Sequence, residues 1–260
     1  MRISSLEKLL KKKYCMLTKS GSTAIYILIK SLNIKKKFII VPANICFDVV
    51  LTILFTGNKP LVLDIDKNYC LSYNSVKKYR NIKKVGAIIY PYMFGNYGDV
   101  FKVKNFAKKK NIYFIEDVAP SLGLKFSKKY AGNISDYSFC SFGTGKILDM
   151  KMGGSLNVNS VNIYKKAENL YSSLRILSQD AKKKYIRLNN ICEKIIIKKL
   201  SKKKFGLNSL KKYENYFAAK YYFNKEFIKK LNYKISKINK INSIRNTKAN
   251  MFQKIIKNKK

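Results

Sequence analysis

Three short stretches of this chain carry groups suited to covalent chemistry, and none is decisive alone. Ser20-Gly21-Ser22-Thr23-Ala24 follows the apolar run Tyr14–Leu17 and opens an amphipathic segment. Small residues and hydroxyls at a helix N-terminus suit an anion, because free N–H groups and the helix dipole converge there. Ser and Thr are equally ordinary helix caps. Glu116-Asp117 ends the run Ile112–Ile115. A carboxylate in that place holds a cationic ring nitrogen, a metal or a ribose hydroxyl, or it merely caps a loop. Lys146 closes Ser141-Phe142-Gly143-Thr144-Gly145-Lys146, which follows Tyr137–Cys140. This is not a phosphate-binding P-loop. That motif needs Gly six residues before the lysine and Ser or Thr after it, where this chain has Cys140 and Ile147.

The chain contains no histidine. Serine–histidine and cysteine–histidine catalysis are excluded, as are histidine-ligated metals. Proton transfer must then fall to Lys, Asp, Glu, Tyr or a bound cofactor. The three stretches together make a kit for pyridoxal 5'-phosphate: a helix N-terminus at Gly21 and Ser22 for the phosphate, Asp117 for the protonated pyridine nitrogen, and Lys146 for the Schiff base. A lysine released from the cofactor can itself shuttle a proton, so this chemistry needs no histidine.

The elements that must position these residues are legible as alternation. Tyr14–Leu17, Phe38–Pro42, Pro60–Ile65, Val85–Tyr90, Ile112–Glu116, Tyr137–Phe142 and Ser155–Val158 read as short strands. Thr23–Leu32, Phe47–Phe55 and Val100–Lys110 read as helices, with Gly57 as a stop signal. Such alternation predicts a mostly parallel sheet of seven strands covered on both faces, with ligands beyond the carboxyl ends of the strands. After residue 160 proline is absent, Gly206 is the one glycine, and residues 161–260 hold 28 of the 55 basic residues but 5 of the 14 acids. Glu168–Leu177 and Glu214–Leu231 read as amphipathic helices, and the last twenty residues as frayed. The expected organisation is a cofactor-binding domain over 1–160 and a reduced, helical, lysine-rich region over 161–260.

The wording of these segments resembles the DegT/DnrJ/EryC1/StrS sugar aminotransferases, which are type I pyridoxal phosphate enzymes. The resemblance rests on SGSTAI (20–25), VPA (41–43), PLVLDID (60–66), YPYMFGNYGD (90–99), IEDVAPSLG (115–123), AGNISDYSFCSFGTGK (131–146) and GGSLNVN (153–159), in the family's order across about 145 residues. It implies an α/β fold of the aspartate aminotransferase kind. It also implies Lys146 as the Schiff-base lysine, Asp117 as the partner of the pyridine nitrogen, and Gly21, Ser22 and Ser141 as the phosphate cradle. The aromatic that stacks on the ring in the family falls at Cys46, with Phe47 adjacent. Pro120 stands where the family usually places Gln or His near the cofactor. Family members typically continue into a smaller C-terminal domain and also carry, after the lysine strand, an Asn/Tyr/Arg-rich stretch that reaches into the neighbouring subunit's site, of which Arg175–Asn190 is a loose echo. The implied reaction moves an amino group from glutamate to a nucleotide-linked keto-sugar for surface polysaccharide, in a homodimer with sites at the subunit interface. Dehydratase members replace the lysine, usually by His, so Lys146 favours transamination.

Composition sets the remaining bounds. The 260 residues are 47% apolar, enough for a sizeable core, and no run has the length of a membrane span. The N-terminus lacks the apolar centre of a signal peptide, and Cys15, Cys46, Cys70, Cys140 and Cys192 form no CxxC pair. A cytoplasmic location, reduced and mostly buried thiols, and no metal or membrane follow as expectations. The formal charge of +41 attracts anions. It keeps a nucleic-acid-binding protein open as an alternative, while the short C-terminal region keeps open a catalytically inactive or truncated relative. No nucleic-acid motif accompanies the charge, so no specific nucleic acid is expected.

Overall fold

The computed structural model describes residues 1–126, 129–176, 214 and 217–257. Helix α1 (Ser4–Leu10) leads into strand β1 (Tyr14–Thr18). There follow α2 (Gly21–Ser31), β2 (Phe38–Pro42), α3 (Phe47–Phe55), β3 (Lys59–Leu63), α4 (Tyr73–Lys78), β4 (Val85–Pro91), α5 (Val100–Lys109) and β5 (Tyr113–Asp117). A two-strand hairpin, β6 (Lys125–Phe126) and β7 (Lys129–Tyr130), precedes β8 (Tyr137–Ser141), β9 (Gly154–Val158) and α6 (Val161–Ser173). The seven main strands lie in the order β1-β9-β8-β5-β4-β2-β3. From β8 to β3 all neighbours pair in parallel, whereas β9 runs antiparallel to both β8 and β1. The mostly parallel seven-stranded sheet is therefore the one expected.

Parallel strands must be joined by crossovers, and those crossovers cover both faces. One face packs α2, α3 and α6 around Ile27, Ile39, Ile89, Phe139 and Leu156. Helix α2 is apolar nearly all round, with Thr23 to Ile29 buried, because it lies between the sheet and its neighbours α3 and α6. Each such buried isoleucine contributes about 1.5–3 kcal/mol. The other face packs α1, α4 and α5 around Leu6, Leu10, Ile88, Tyr90 and Phe142.

Several boundaries differ from the sequence reading. Helix α2 starts two residues before Thr23, because the Ser20 Oγ accepts from the Thr23 N–H at 3.1 Å and caps the turn there. Of the expected helix Glu168–Leu177, Glu168–Ser173 is the end of α6, whose start Ser160 caps at Ile163, while Arg175–Ile176 (β10) pairs with Ala219–Lys220 (β11) and Leu177 lies outside the described residues. In Glu214–Leu231, Glu214 and Phe217 are helical, with the Ala218 N–H donating to the Glu214 carbonyl at 2.8 Å; the strand Ala219–Lys220 interrupts, and helix resumes at Lys225, where the Asn224 Oδ1 accepts from the Phe227 N–H at 2.9 Å; this helix, α7, spans Lys225–Ser236. The expected frayed end is instead a helix, α8 (Ile238–Lys257). Ile238 is buried, Ile241 packs beside it, and the Asn242 amide donates to the Leu122 carbonyl at 3.1 Å. Most of Arg175–Asn190, and Cys192, lie outside the described residues. Among the described residues no helix is long and apolar enough to cross a membrane.

Candidate active site

The site forms where the parallel strands end. Thr18, Gly154 and Ser141 stand side by side across β1, β9 and β8. Gly154 has no room for a side chain, since a Cβ there would lie 2.4 Å from the Gly21 nitrogen and 2.7 Å from the Cys140 carbonyl. A Cβ on Gly21 would lie 2.9 Å from the Cβ of Ser141. Two glycines thus let the N-terminus of α2 settle onto the end of β8, which joins Gly21 to Ser141. Ser20 caps the Thr23 N–H, and the Gly21 and Ser22 N–H groups have no partner in the helical ladder. The Thr23 hydroxyl donates to the Phe217 carbonyl at 2.9 Å and fixes the turn to the later chain.

The adjacent acids at the end of β5 have different tasks. Successive residues of a strand face opposite sides. Glu116 is fully buried and accepts from the Tyr92 hydroxyl (2.5 Å) and the N–H groups of Gly132 (2.8 Å), Ile134 (2.9 Å) and Ser135 (2.7 Å). It is the anchor of the loop that enters β8, and Lys12 reaches the same loop by donating to the Ser135 carbonyl. Asp117 is 4% exposed, and its side chain accepts one hydrogen bond, from the Ala119 N–H at 2.9 Å. Burial pushes its pKa up to about 6, against the opposing effects of that N–H and the Lys146 charge.

Lys146 is half-buried in a loop that is closed on itself. The Phe142 N–H donates to the Gly153 carbonyl and the Met150 N–H to the Phe142 carbonyl, each at 2.9 Å. The Asp149 carboxylate accepts from the Gly145 and Lys151 N–H groups, each at 3.0 Å, and Lys234 of α7 donates to the Asp149 carbonyl at 2.6 Å. The charges of Lys146 and Asp117 both act on the thiols of Cys46 and Cys140, which gathers four groups around one spot.

The residues expected to face a cofactor ring are less uniform. Cys46 precedes α3 and is exposed, a departure from the expectation of buried thiols that Cys15, Cys70 and Cys140 follow. Phe47 is half-buried and packs against the core on the α2 face. Pro120 is half-buried in a turn and shares a cavity wall with Ile147. Sequence reasoning missed Glu116 as an anchor, Gly154 as a packing requirement, and Lys19. Lys19 is 2% exposed between β1 and α2; burial holds its pKa well below the lysine range, with Asp48 of α3 acting in the opposite direction. In a chain with 55 basic residues a single buried lysine carries no sequence signal.

An amine, a buried carboxylate near it, and a helix N-terminus seated against Ser141 form a donor set that fits pyridoxal phosphate. Among the described residues no group of three side chains could hold a metal ion.

Comparison with known proteins gives the chain's family and fold. The DegT/DnrJ/EryC1/StrS aminotransferase family matches residues 4–250. GDP-perosamine synthase of Escherichia coli O157:H7 is 27% identical over 58% of the chain and 42% of that protein. The UDP-4-amino-4,6-dideoxy-N-acetyl-beta-L-altrosamine transaminase of Campylobacter jejuni is 26% identical over 62% of the chain and 43% of that protein. The chain therefore spans less than half the length of these curated relatives. In fold it is similar to NtdA of Bacillus subtilis with bound cofactor PMP, at a TM-score of 0.59 and 22% identity over 65% of the chain and 38% of that one.

Proposed function

The chain belongs to the DegT/DnrJ/EryC1/StrS aminotransferase family, a family of pyridoxal-phosphate-dependent sugar aminotransferases, and we propose that it moves an amino group from glutamate to a nucleotide-linked keto-sugar. The observation that carries the reading is the placement of buried Asp117 within charge range of Lys146, beside a helix N-terminus packed on Ser141. Pyridoxal phosphate supplies an electron sink that lets a proton leave the carbon bearing the amino group.

The chain's own residues do the rest. Gly21 and Ser22 offer backbone N–H groups, and Ser141 a hydroxyl, to the phosphate. Asp117 pairs with the ring nitrogen. Its burial is unfavourable for an isolated carboxylate, and a cationic partner reverses that cost. Lys146 would hold the cofactor through its Nζ and, once released, that amine would take up and return the proton. Cys46, exposed and within charge range of Lys146 and Asp117, would lie against the ring, with half-buried Phe47 adjacent. Pro120 shapes the wall but donates no hydrogen bond there.

Residues 1–160 carry the cofactor in this reading, and a second copy of the chain completes the site as a homodimer. The keto-sugar is cytoplasmic and its product serves a surface polysaccharide. The relatives named above act on GDP- and UDP-linked sugars, which supports the choice of acceptor.

The test is a half-reaction. The protein loaded with pyridoxal phosphate should lose its visible absorbance on addition of glutamate and release one equivalent of 2-oxoglutarate. A loaded protein whose spectrum glutamate leaves untouched would refute the choice of donor.

A further inference from the structure

The two ends of the parallel sheet differ in charge far more than composition requires. The linkers entering β2, β3, β4 and β5 (32–37, 56–58, 79–84 and 110–112) hold seven basic residues and no acid. The linkers leaving the same strands toward the candidate active site (43–46, 64–72, 92–99 and 118–124) are longer in sum, yet hold one basic residue and three acids. A general excess of lysine would load both ends alike. Lysines in the last turns of α2, α4 and α5 offset the helix dipoles, but the linker cations lie outside the helices. All seven are exposed, and among the described residues none makes an ion pair.

These charges border a groove. Three cavities, of about 590, 550 and 330 Å³, lie side by side across this end of the sheet. The first and second share Lys37 as a wall, and the second and third share Tyr113. Together they run from β3, at Lys59, to β8, at Tyr137, a distance of four strand spacings or about 19 Å. The fold fixes the lysines here. The buried Asn58 side chain donates to the Ile34 carbonyl at 2.9 Å and accepts from the Lys37 N–H at 3.0 Å, which clamps the linker carrying Lys35, Lys36 and Lys37. Lys37 in turn donates to the Lys83 carbonyl at 3.4 Å and ties that linker to the next. Among the described residues the one carboxylate on the walls is Asp136, which accepts from the Asn159 amide at 3.0 Å. Tyr113 is 38% exposed, and Tyr137 holds its ring edge-on with centroids 5.6 Å apart.

We infer that this groove binds a single-stranded polynucleotide independently of its sequence, its lysines pairing with successive phosphates and Tyr113 stacking on a base. A basic groove with an aromatic platform suits such a strand, because every base has a flat face. Among the described residues the walls carry lysine and no arginine, which suits contact with phosphates without reading of base edges. A bilayer is planar and would meet the rim of the groove but not its floor. With charges about 3.4 Å apart along a stacked strand, the groove spans about five phosphates. It lies at the opposite ends of the strands from Lys146, so the assignment goes beyond the aminotransferase reading and does not rest on it.

The experiment is fluorescence anisotropy of the full chain with labelled single-stranded RNA and DNA of mixed sequence, over a range of salt. One triple variant, Lys35→Glu with Lys83→Glu and Lys110→Glu, reverses three charges on the middle cavity. A control of the same net charge, Lys229→Glu with Lys240→Glu and Lys248→Glu, reverses three on α7 and α8. All six side chains are exposed, so the core stays intact. The groove triple should weaken binding about tenfold or more, and the control by less than about twofold. For the unaltered chain, log affinity should fall against log salt with a slope of about −3.5, and the groove triple should flatten it. Tyr113→Leu should weaken the oligonucleotides about fivefold or more while sparing inorganic polyphosphate. This pattern supports the assignment with RNA, with DNA or with both, and the comparison identifies the source. Equal losses in the two triples would overturn it, since the charge would then act diffusely. So would polyphosphate binding as tightly as the oligonucleotides with no effect of Tyr113→Leu. A groove triple that loses binding only to vesicles of equimolar phosphatidylcholine and phosphatidylserine would assign the face to a membrane and overturn it as well.

Discussion

Asp117→Asn should make the cofactor-free protein more stable, although it removes a group the reaction needs. Burial raises the Asp117 pKa from 3.8 to about 6. A difference of about two pKa units, at about 1.36 kcal/mol each, is a cost of about 3 kcal/mol for keeping the carboxylate ionised in the fold. The folded protein binds more protons than the unfolded chain between those two values. The group's favourable contribution is therefore fully present below pH 3.8 and is lost as pH rises through about 6. Asparagine keeps an acceptor for the Ala119 N–H and removes the ion. The assay is urea unfolding of both cofactor-free proteins from pH 4 to 7.5, in enough salt to screen the surface charge. At pH 7.5 the variant should be more stable by up to about 3 kcal/mol, and the gap should close as pH falls from 6 to 4. Affinity for pyridoxal phosphate should move the other way, because the ring nitrogen loses its counter-charge. A variant no more stable at pH 7.5, or a gap independent of pH, would refute the reasoning.

Two further changes separate anchoring from chemistry. Glu116→Ala leaves three N–H groups and the Tyr92 hydroxyl without their acceptor and should cost roughly 4 kcal/mol or more in chemical unfolding; a loss under about 1 kcal/mol would show that the loop has other supports. Gly21→Ala drives a methyl to 2.9 Å from the Ser141 Cβ. It should cost about 1–3 kcal/mol by overpacking and weaken pyridoxal phosphate in a spectroscopic titration. Gly21→Ala with Ser141→Gly should recover the stability but not the cofactor affinity, and recovery of both would remove Ser141 from the cradle.

The sheet was legible because its strands are short β-branched and aromatic runs buried on both faces, such as Phe38–Pro42, where packing and propensity agree. Helix α3 was legible to the residue because Gly57, with φ 79°, stops it. The C-terminal helices were less so. Lysine, asparagine and isoleucine repeat there without glycine or proline, and the starts are set by Ser160 and Asn224 acting as N-terminal caps, which their neighbours do not announce. Lys146 and Asp117 were legible as a pair, through order along the chain and position after strands. That Glu116 and Asp117 divide into an anchor and an ionisable group was not, because adjacent acids look alike until the loop 132–135 folds back over one of them. The Gly21–Ser141 junction joins residues distant in sequence and needs Gly154 between them, a constraint of three-dimensional contact alone.

The central claim is that one lysine, among 55 basic residues, holds the cofactor. The direct measurement is borohydride reduction of the protein loaded with pyridoxal phosphate, followed by mass mapping of the peptides, with Lys146→Ala treated in parallel. The account predicts a single pyridoxyl adduct at Lys146, formed at low cofactor excess and missing from the variant. An adduct spread over surface lysines, at the same level in both proteins, would contradict it.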